Sequence, residues 1–222
     1  FKEHDHRFRH RVRILFGGSE EIALNDIKWF VANIGAPYQA IVTDGPFPVN
    51  NIQKGLLDVD VELPVGPQLP NGQKLNGTGL GIDCENAESG PTTANGGLII
   101  PANEFAEADK VLGAVSGETS EDAIVLHFDI RYAVGQAHEQ IIERIQAQAE
   151  AAGGRIVDIL NDDPYYVQAD DPRVQLLTAT YNDVLGCEAR PVAVGDGTHA
   201  RFIPRALNFG PEFHADHVPA VD

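Results

Sequence analysis

Two adjacent acids, Glu20 and Glu21, carry the strongest chemical signal in the sequence. They follow a Gly-Gly-Ser turn and precede a helical pattern, and the apolar run before them, residues 11–16, predicts a strand buried in a sheet. Ligands of open α/β sheets collect at the carboxyl ends of such strands. Two acids at that place can divide the chemistry, because one carboxylate can hold a metal ion while the other takes a proton from the bound water.

A purely structural role for the same acids is the alternative. Ser19 is a good helix N-cap, and acidic side chains stabilise the first turn of a helix. On this segment alone the structural role is favoured, and it predicts a helix from Ser19 to about Ile34, ended by the Gly-Ala-Pro at residues 35–37. The other polar segments of the chain therefore decide between the two roles.

A third acid, Asp44, comes directly after the next predicted strand, residues 39–43, and is followed by Gly-Pro-Phe-Pro. Taken alone, an Asp-Gly pair is typical of an ordinary turn. The order of strand, acidic pair, helix, strand and acid can also bring three carboxylates to one edge of a sheet. We therefore expect Glu20, Glu21 and Asp44 to lie close together at the edge of a mixed sheet.

Two later segments carry groups that suit substrate binding. Arg131 lies on the polar face of the predicted strand 124–131, where its planar guanidinium can hold a carboxylate at two points. The alternative is a surface arginine paired with Asp129 or Asp122. Residues 195–198, Gly-Asp-Gly-Thr, form a loop whose glycines allow the backbone to approach a ligand closely, although the loop matches no phosphate-binding pattern.

Taken in order, these four segments resemble the dipeptidase branch of the aminoacylase and carboxypeptidase-G-like zinc peptidases. The most similar members are the bacterial dipeptidases that cleave Xaa-Xaa and β-alanyl dipeptides. The resemblance covers most of residues 8–58 and 79–213. The sequence departs from the family pattern at Gly18 and Ser19, where the family has Thr and Asp, and at Asp196, which replaces the middle glycine of a Gly-Gly-Gly-Thr loop.

The resemblance implies a role for each of the polar residues. Glu20 corresponds to the general base that activates the metal-bound water, and Glu21 and Asp44 correspond to zinc ligands. Arg131 corresponds to the lid residue that binds the free carboxylate of the dipeptide, whereas His127 corresponds to a structural position despite its metal-like His-x-Asp spacing. The loop that contacts bound substrate corresponds to Gly195, Gly197 and Thr198.

Part of the family's metal site has no counterpart in the sequence. The family builds two zinc sites from five ligands, and its first His and its bridging Asp have no match before Glu20. Either His214 or His217 can stand in for the C-terminal His ligand. No Ser-Ala-His-Gly-like segment supplies the lid His, and residues 65–78 are rich in Gly, Pro and Asn. We therefore expect a family fragment that lacks the N-terminal half, has a shortened lid and is inactive by itself.

The predicted fold class is α/β, with part of a zinc-peptidase catalytic sheet and its helices plus a shortened α+β, ferredoxin-like lid domain. The first part of the catalytic domain is assigned to residues 1–58, the lid to 59–160 and the C-terminal part of the catalytic domain to 161–222. Apolar periodicity predicts a lid helix over 136–152, and an Asp-Pro start and a Gly stop predict a second helix over 171–186.

Composition limits the classes of partner. The 222 residues carry 16 basic and 33 acidic side chains, and the net charge of −17 argues against nucleic acids and anionic membranes as partners. Cys84 and Cys187 are too far apart in sequence to indicate a disulfide framework or a zinc ribbon. The sequence contains neither an 18-residue apolar run nor a signal peptide, so a cytoplasmic protein is the expectation.

The activity that the resemblance implies is zinc-dependent hydrolysis of dipeptides or short peptides. A complete site would hold two zinc ions, or other divalent ions, and the substrate would be a short peptide. Two alternatives stay open. One is a non-catalytic family remnant that associates with a complementary chain or with a second copy, and the other is an aminoacylase-type amide hydrolase.

Overall fold

The computed structural model describes residues 9–19, 24–64, 81–101 and 123–213. Within these ranges the chain forms three α-helices, one short 3₁₀-helix and nine strands. The helices are α1 (Asn25–Asn33), α2 (His138–Ala151) and α3 (Pro172–Leu185), and the 3₁₀-helix is His199–Phe202. The strands are β1 (Ala40–Val42), β2 (Asn50–Gln53), β3 (Gly55–Pro64), β4 (Thr93–Pro101), β5 (Ala123–Tyr132), β6 (Arg155–Asp162), β7 (Tyr165–Tyr166), β8 (Val192–Val194) and β9 (Ala206–Asn208).

The first sheet is a mixed sheet of short strands. Its strands run in the order β1-β9-β2-β7, and β8 also pairs with β2. The β1–β9 and β2–β8 pairs are parallel, whereas β2 runs antiparallel to β7 and β9. Helix α1 packs on the sheet through the buried Ile27, and α3 packs on it through the buried Val174. Each helix thus presents an apolar face to the first sheet.

The second sheet is antiparallel, with the order β4-β5-β3-β6. This is the strand order of a ferredoxin-like sheet, and α2 packs against it as the crossover between β5 and β6. Ile141 and Ile145 of α2 are fully buried against the apolar face of the sheet, which includes Leu57, Val59 and Ile130. The predicted α/β class with a ferredoxin-like second unit is therefore confirmed.

The two sheets are joined at two crossovers. The chain leaves the first sheet after Gln53 and enters the second at Gly55, with Lys54 alone between them. It returns after Asp162, where β6 ends, and re-enters the first sheet at Tyr165. The predicted domain boundaries, 58/59 and 160/161, lie close to these crossovers and stay predictions. None of the described helices combines the length and the apolarity needed to cross a bilayer.

The start of the chain differs from the sequence prediction. The apolar run 11–16 is not a strand, and its side chains are exposed, with Phe16 90% accessible. An apolar run becomes a strand only when partner strands and a packed face cover it, and the described strands leave this run without either. The predicted helix start is also wrong, because the described helix begins at Asn25 and the Ser19 amide instead donates to the Asp26 carboxylate.

Helix α3 has the start and end that its sequence predicts. Asp171 is the N-cap, Pro172 is the first helical residue and Gly186 ends the helix with φ +65°. The Asp171 carboxylate accepts hydrogen bonds from the Arg173 backbone amide at 2.8 Å and from its guanidinium at 2.8 and 3.0 Å. These hydrogen bonds hold the pKa of Asp171 at about 2, below its ordinary value of 3.8.

The Asp171→Ala substitution should lower the free energy of unfolding by about 1 kcal/mol at neutral pH, because it removes a helix N-cap. A lowered folded-state pKa stabilises the protein above the unfolded-state pKa, so this contribution should disappear as the pH falls from about 4 towards about 2. Urea denaturation at pH 7 measures the difference. The neighbouring exposed Asp170→Ala is the matched control, and equal effects of the two substitutions would contradict the capping role.

Candidate active site

A cleft of about 850 Å³ lies between the two sheets. Four of the predicted site residues line it, although they come from distant parts of the sequence: Asp44, Arg131, Gly197 and Thr198. Gly195 is not among the lining residues, whereas Asp196 of the same loop is. Glu20 and Glu21 lie outside the described residues, but Leu24, which resumes the described chain, lines the cleft.

Asp44 lies in the turn that follows β1. Its backbone is held at both ends by Asn208 of β9, which accepts from the Asp44 amide at 3.3 Å and donates to the Asp44 carbonyl. Gly45 has φ +132°, a conformation that L side chains rarely adopt, so glycine is required directly after Asp44. The Asp44 carboxylate forms no hydrogen bond or ion pair with any other described residue. Among the described residues, its carboxylate therefore faces the cleft without a competing partner.

Thr198 is fixed at the floor of the cleft by Gln53, the last residue of β2. The Gln53 amide donates to the Thr198 hydroxyl at 2.9 Å, and the Thr198 backbone amide donates to the Gln53 carbonyl oxygen at 3.0 Å. Both residues are buried, and Thr198 also caps the 3₁₀-helix. The loop 195–198 is therefore anchored by a reciprocal pair of hydrogen bonds. No motif in the sequence pointed to Gln53, because a single glutamine in a short strand carries no pattern.

Arg131 reaches the cleft from β5 and is held by Asp129 on the same face of that strand. Its Nε and Nη2 donate to the two Asp129 carboxylate oxygens at 2.8 and 3.1 Å. Pairing with Asp129 was the alternative interpretation of the sequence, and the structure shows that pair. A guanidinium carries five N–H groups, so the Nη1–Nη2 edge can still take a second carboxylate. That edge lies towards Asp196, whose Oδ1 is 3.8 Å from Nη1.

Asp58 of β3 is a cleft residue that the sequence did not indicate. It pairs in register with Asp129 across the sheet and lines the cleft beside Arg131. Burial raises the pKa of Asp58 to about 6, and the nearby Asp129 and Asp60 add to this while His127 opposes it. The cleft therefore gains negative charge as the pH rises through about 6. The only signal in the sequence is the alternation of acids along β3, which also fits a solvated strand face.

His127 is paired with Asp60 of β3, at 2.8 Å between Nδ1 and Oδ1. This hydrogen bond raises the pKa of His127, and burial opposes it. Asp129, the other half of the His-x-Asp spacing, is engaged by Arg131 instead. Within the ranges that the structure describes, no group of three or more His, Cys, Asp or Glu side chains is arranged to hold a metal ion. The geometry thus agrees with a structural role for His127.

The turn that leads to the acidic pair is anchored by Asp26 of α1. Its carboxylate accepts from the Ser19 amide at 3.0 Å and lies 3.2 Å from His199 of the 3₁₀-helix. The Ser19 amide is the main cause of the lowered pKa of Asp26. A Cβ atom at Gly17 would lie 2.1 Å from an Asp26 carboxylate oxygen, so a larger residue there would displace the Asp26 side chain. Residues 17–19 are therefore fixed against α1 and the 3₁₀-helix immediately before Glu20.

Comparison with known proteins gives consistent relatives. The chain is 31% identical over 137 residues to a Bacillus subtilis protein named "Putative dipeptidase YtjP". The matched stretch covers 62% of this chain and 25% of that protein. It is 30% identical over 94 residues to a similarly named protein of Staphylococcus saprophyticus, covering 42% of this chain and 20% of that protein. No protein-family model matches the chain.

The fold is shared with a solved peptidase. Aminopeptidase PepT from Bacillus cereus superposes with a TM-score of 0.53 and 14% identity, over 86% of this chain and 54% of that one. The sequence relatives are named putative dipeptidases, and the solved aminopeptidase shares the fold of this chain. The similarity to proteins of this name confirms the resemblance to the dipeptidase branch. The matched stretches span a quarter or less of these sequence relatives, so the activity itself is a matter for proposal.

Proposed function

We propose that the chain contributes catalytic and substrate-binding groups to a zinc-dependent dipeptidase site that acts on dipeptides or short peptides. The observation that supports this best is the cleft, where the carboxylate of Asp44, unpaired among the described residues, shares one space with the outer guanidinium edge of Arg131 from the second sheet. A cytoplasmic location, as the sequence predicts, belongs to the same proposal. So does association with a complementary chain or a second copy.

Divalent metal binding is proposed through Asp44 and Glu21. A carboxylate that follows the end of a strand is a suitable ligand for zinc or another divalent ion, and Asp44 follows β1 and lines the cleft. The described residues supply this one ligand and not a full set, so Glu21 and further donors would have to complete the site. Bound metal would polarise the scissile carbonyl and lower the pKa of its water.

Substrate binding is proposed to depend on the second sheet. The outer edge of the Arg131 guanidinium suits the terminal carboxylate of a peptide, because two parallel N–H groups match two carboxylate oxygens. Asp129 keeps this edge in a fixed orientation. On the other side of the cleft, Gly197 and Thr198 are lining residues that can contact the rest of a short peptide. An enzyme that binds the terminal carboxylate of its substrate would act at the ends of peptides.

Proton transfer is assigned to Glu20. Its carboxylate would accept a proton from the attacking water and pass it to the leaving amine. The anchoring of residues 17–19 by Asp26 fixes the chain immediately before this acid. Peptides are favoured over N-acylated amino acids, because the acids lining the cleft, Asp58, Asp162 and Asp196, suit a substrate with a free ammonium group. This distinguishes the proposal from the aminoacylase-type alternative.

Zinc titration of the 222-residue chain tests the proposed ligand. We expect weak zinc binding that Asp44→Asn weakens further, because an amide oxygen is a poorer ligand than a carboxylate. Asp196→Asn, which neutralises another acid of the same cleft, is the matched control and should bind zinc like the unaltered chain. If both variants bind zinc equally well, Asp44 is not a ligand. In the same samples, hydrolysis of alanyl and β-alanyl dipeptides should be negligible, and rapid zinc-dependent cleavage would show that the chain needs no further ligands.

A further inference from the structure

Arg201 is a half-buried cleft residue that the proposed reaction does not use. It lies in the 3₁₀-helix that packs on the first sheet, and it forms no ion pair with a carboxylate of the described residues. Its Nε is buried without a hydrogen-bond partner among those residues. Burial lowers the pKa of Arg201, and the nearby Asp162 partly offsets this. Burying a guanidinium without an ion pair costs free energy. The hydrogen bonds that Arg201 does form therefore indicate its structural role.

Both hydrogen bonds of the Arg201 guanidinium end on the crossovers between the sheets. Nη2 donates to the carbonyl of Lys54 at 2.6 Å, the single residue between β2 and β3. Nη1 donates to the carbonyl of Asp162 at 3.1 Å, the last residue of β6. One side chain of the 3₁₀-helix therefore contacts both points at which the chain enters and leaves the second sheet.

The residues next to Arg201 and the two crossovers are closely packed. A Cβ atom at Gly197 would lie 2.9 Å from the Arg201 Cζ and Nη2 atoms, so the glycine leaves room for the guanidinium. A Cβ atom at Gly55 would lie 2.1 Å from the ring of Tyr132, which covers the first crossover. The Tyr132 hydroxyl donates to Asn161 at 2.9 Å, beside the second crossover. The packing at both crossovers is therefore close, with little space for an alternative arrangement.

We infer that Arg201 is a positioning residue that fixes the angle between the two sheets by holding both crossovers at once. Hinges are a few residues at the ends of elements that absorb the change in backbone angles, and Lys54 and Asp162 are such residues. Asp44 and Thr198 lie on one side of the hinge and Arg131 on the other. The contact thereby determines the width of the cleft. This inference does not depend on the proposed function, because it concerns the geometry of the chain alone.

The two native cysteines allow the angle to be measured. Cys84 belongs to the segment that packs on the second sheet, and Cys187 follows α3 on the first, and the sequence contains no other cysteine. Spin labels on both residues report the distance between the sheets by pulsed electron paramagnetic resonance. Arg201→Lys keeps the positive charge but replaces the planar fork by one ammonium, which cannot match two separate carbonyls. We expect a broader and shifted distance distribution in this variant, with the melting temperature close to that of the unaltered chain.

Two further variants keep the test decisive. Gly197→Ala retains Arg201 but places a methyl group against its guanidinium, so it should change the distance distribution in the same direction. Arg190→Lys makes the same chemical change at an exposed arginine that precedes β8 and should leave the distribution unchanged. The inference is wrong if folded Arg201→Lys gives the native distribution. It is also wrong if Arg201→Lys does not fold and Gly197→Ala gives the native distribution, or if neither variant folds, since the arginine would then serve folding and not the angle.

Discussion

The Glu20→Gln substitution should reduce peptide hydrolysis on the order of a hundredfold or more, in a form of the protein that carries the complete ligand set. An amide cannot accept the proton of the attacking water, so the chemical step fails. The metal ligands are untouched, so the zinc content per chain should equal that of the unaltered protein. Measuring zinc and turnover on the same sample separates the two effects.

Glu21→Gln is the matched control, because it makes the same chemical change at the neighbouring position. It should lower metal occupancy, since a neutral amide is a poorer ligand for a divalent ion than a carboxylate. Turnover should then recover in part when zinc is added in excess, which it should not do for Glu20→Gln. If Glu20→Gln loses the metal and Glu21→Gln keeps it, the assigned roles are reversed and the alignment with the family pattern is off by one residue.

Arg131→Gln should weaken the binding of dipeptides with a free carboxylate by about ten- to a hundredfold, the equivalent of roughly 1.5–3 kcal/mol for a hydrogen-bonded charged group. Binding of the corresponding dipeptide amides should change little, because they present no carboxylate to the guanidinium. Isothermal titration of both ligands measures the difference on the 222-residue chain.

Arg155→Gln controls for the loss of an arginine from the same sheet. Arg155 pairs with Glu62 at 2.8 Å at the opposite end of that sheet, away from the cleft. The Arg155→Gln substitution should leave the affinity for dipeptides and for dipeptide amides unchanged. A parallel loss of affinity for dipeptides and their amides in Arg131→Gln would show that the residue supports the fold of the cleft and does not read the carboxylate.

Much of the fold could be predicted because local and tertiary preferences agree. The α3 helix has both a capping acid and a terminal glycine in sequence, and the structure places Asp171 and Gly186 in those roles. The α2 helix buries Ile141 and Ile145 at a helical spacing. The strands β3 and β5 alternate apolar and polar side chains over much of their length, so their positions followed from periodicity.

The rest depended on contacts that no local pattern records. The run 11–16 is apolar enough for a strand, yet it is exposed because the described strands do not pair with it. Gln53 and Arg201 act through partners far away in sequence, and neither residue type is unusual at its position. Asp44 and Arg131 were found through a resemblance, since spacing alone also fitted a turn and a surface ion pair. Whether Glu20 and Glu21 join Asp44 stays a prediction.

The carboxylate of Asp196 competes with a substrate carboxylate for the Arg131 guanidinium. Asp196 is part of the chain and lies 3.8 Å from the Arg131 guanidinium, so its carboxylate is present at a fixed, high effective concentration. Its side chain is 92% exposed, and an ion pair so exposed is worth about 0–1 kcal/mol, which would weaken the binding of an incoming carboxylate by no more than about fivefold. Added salt would weaken the tethered pair and the peptide's contact together, so peptide binding should depend less on ionic strength than an unopposed charge pair would.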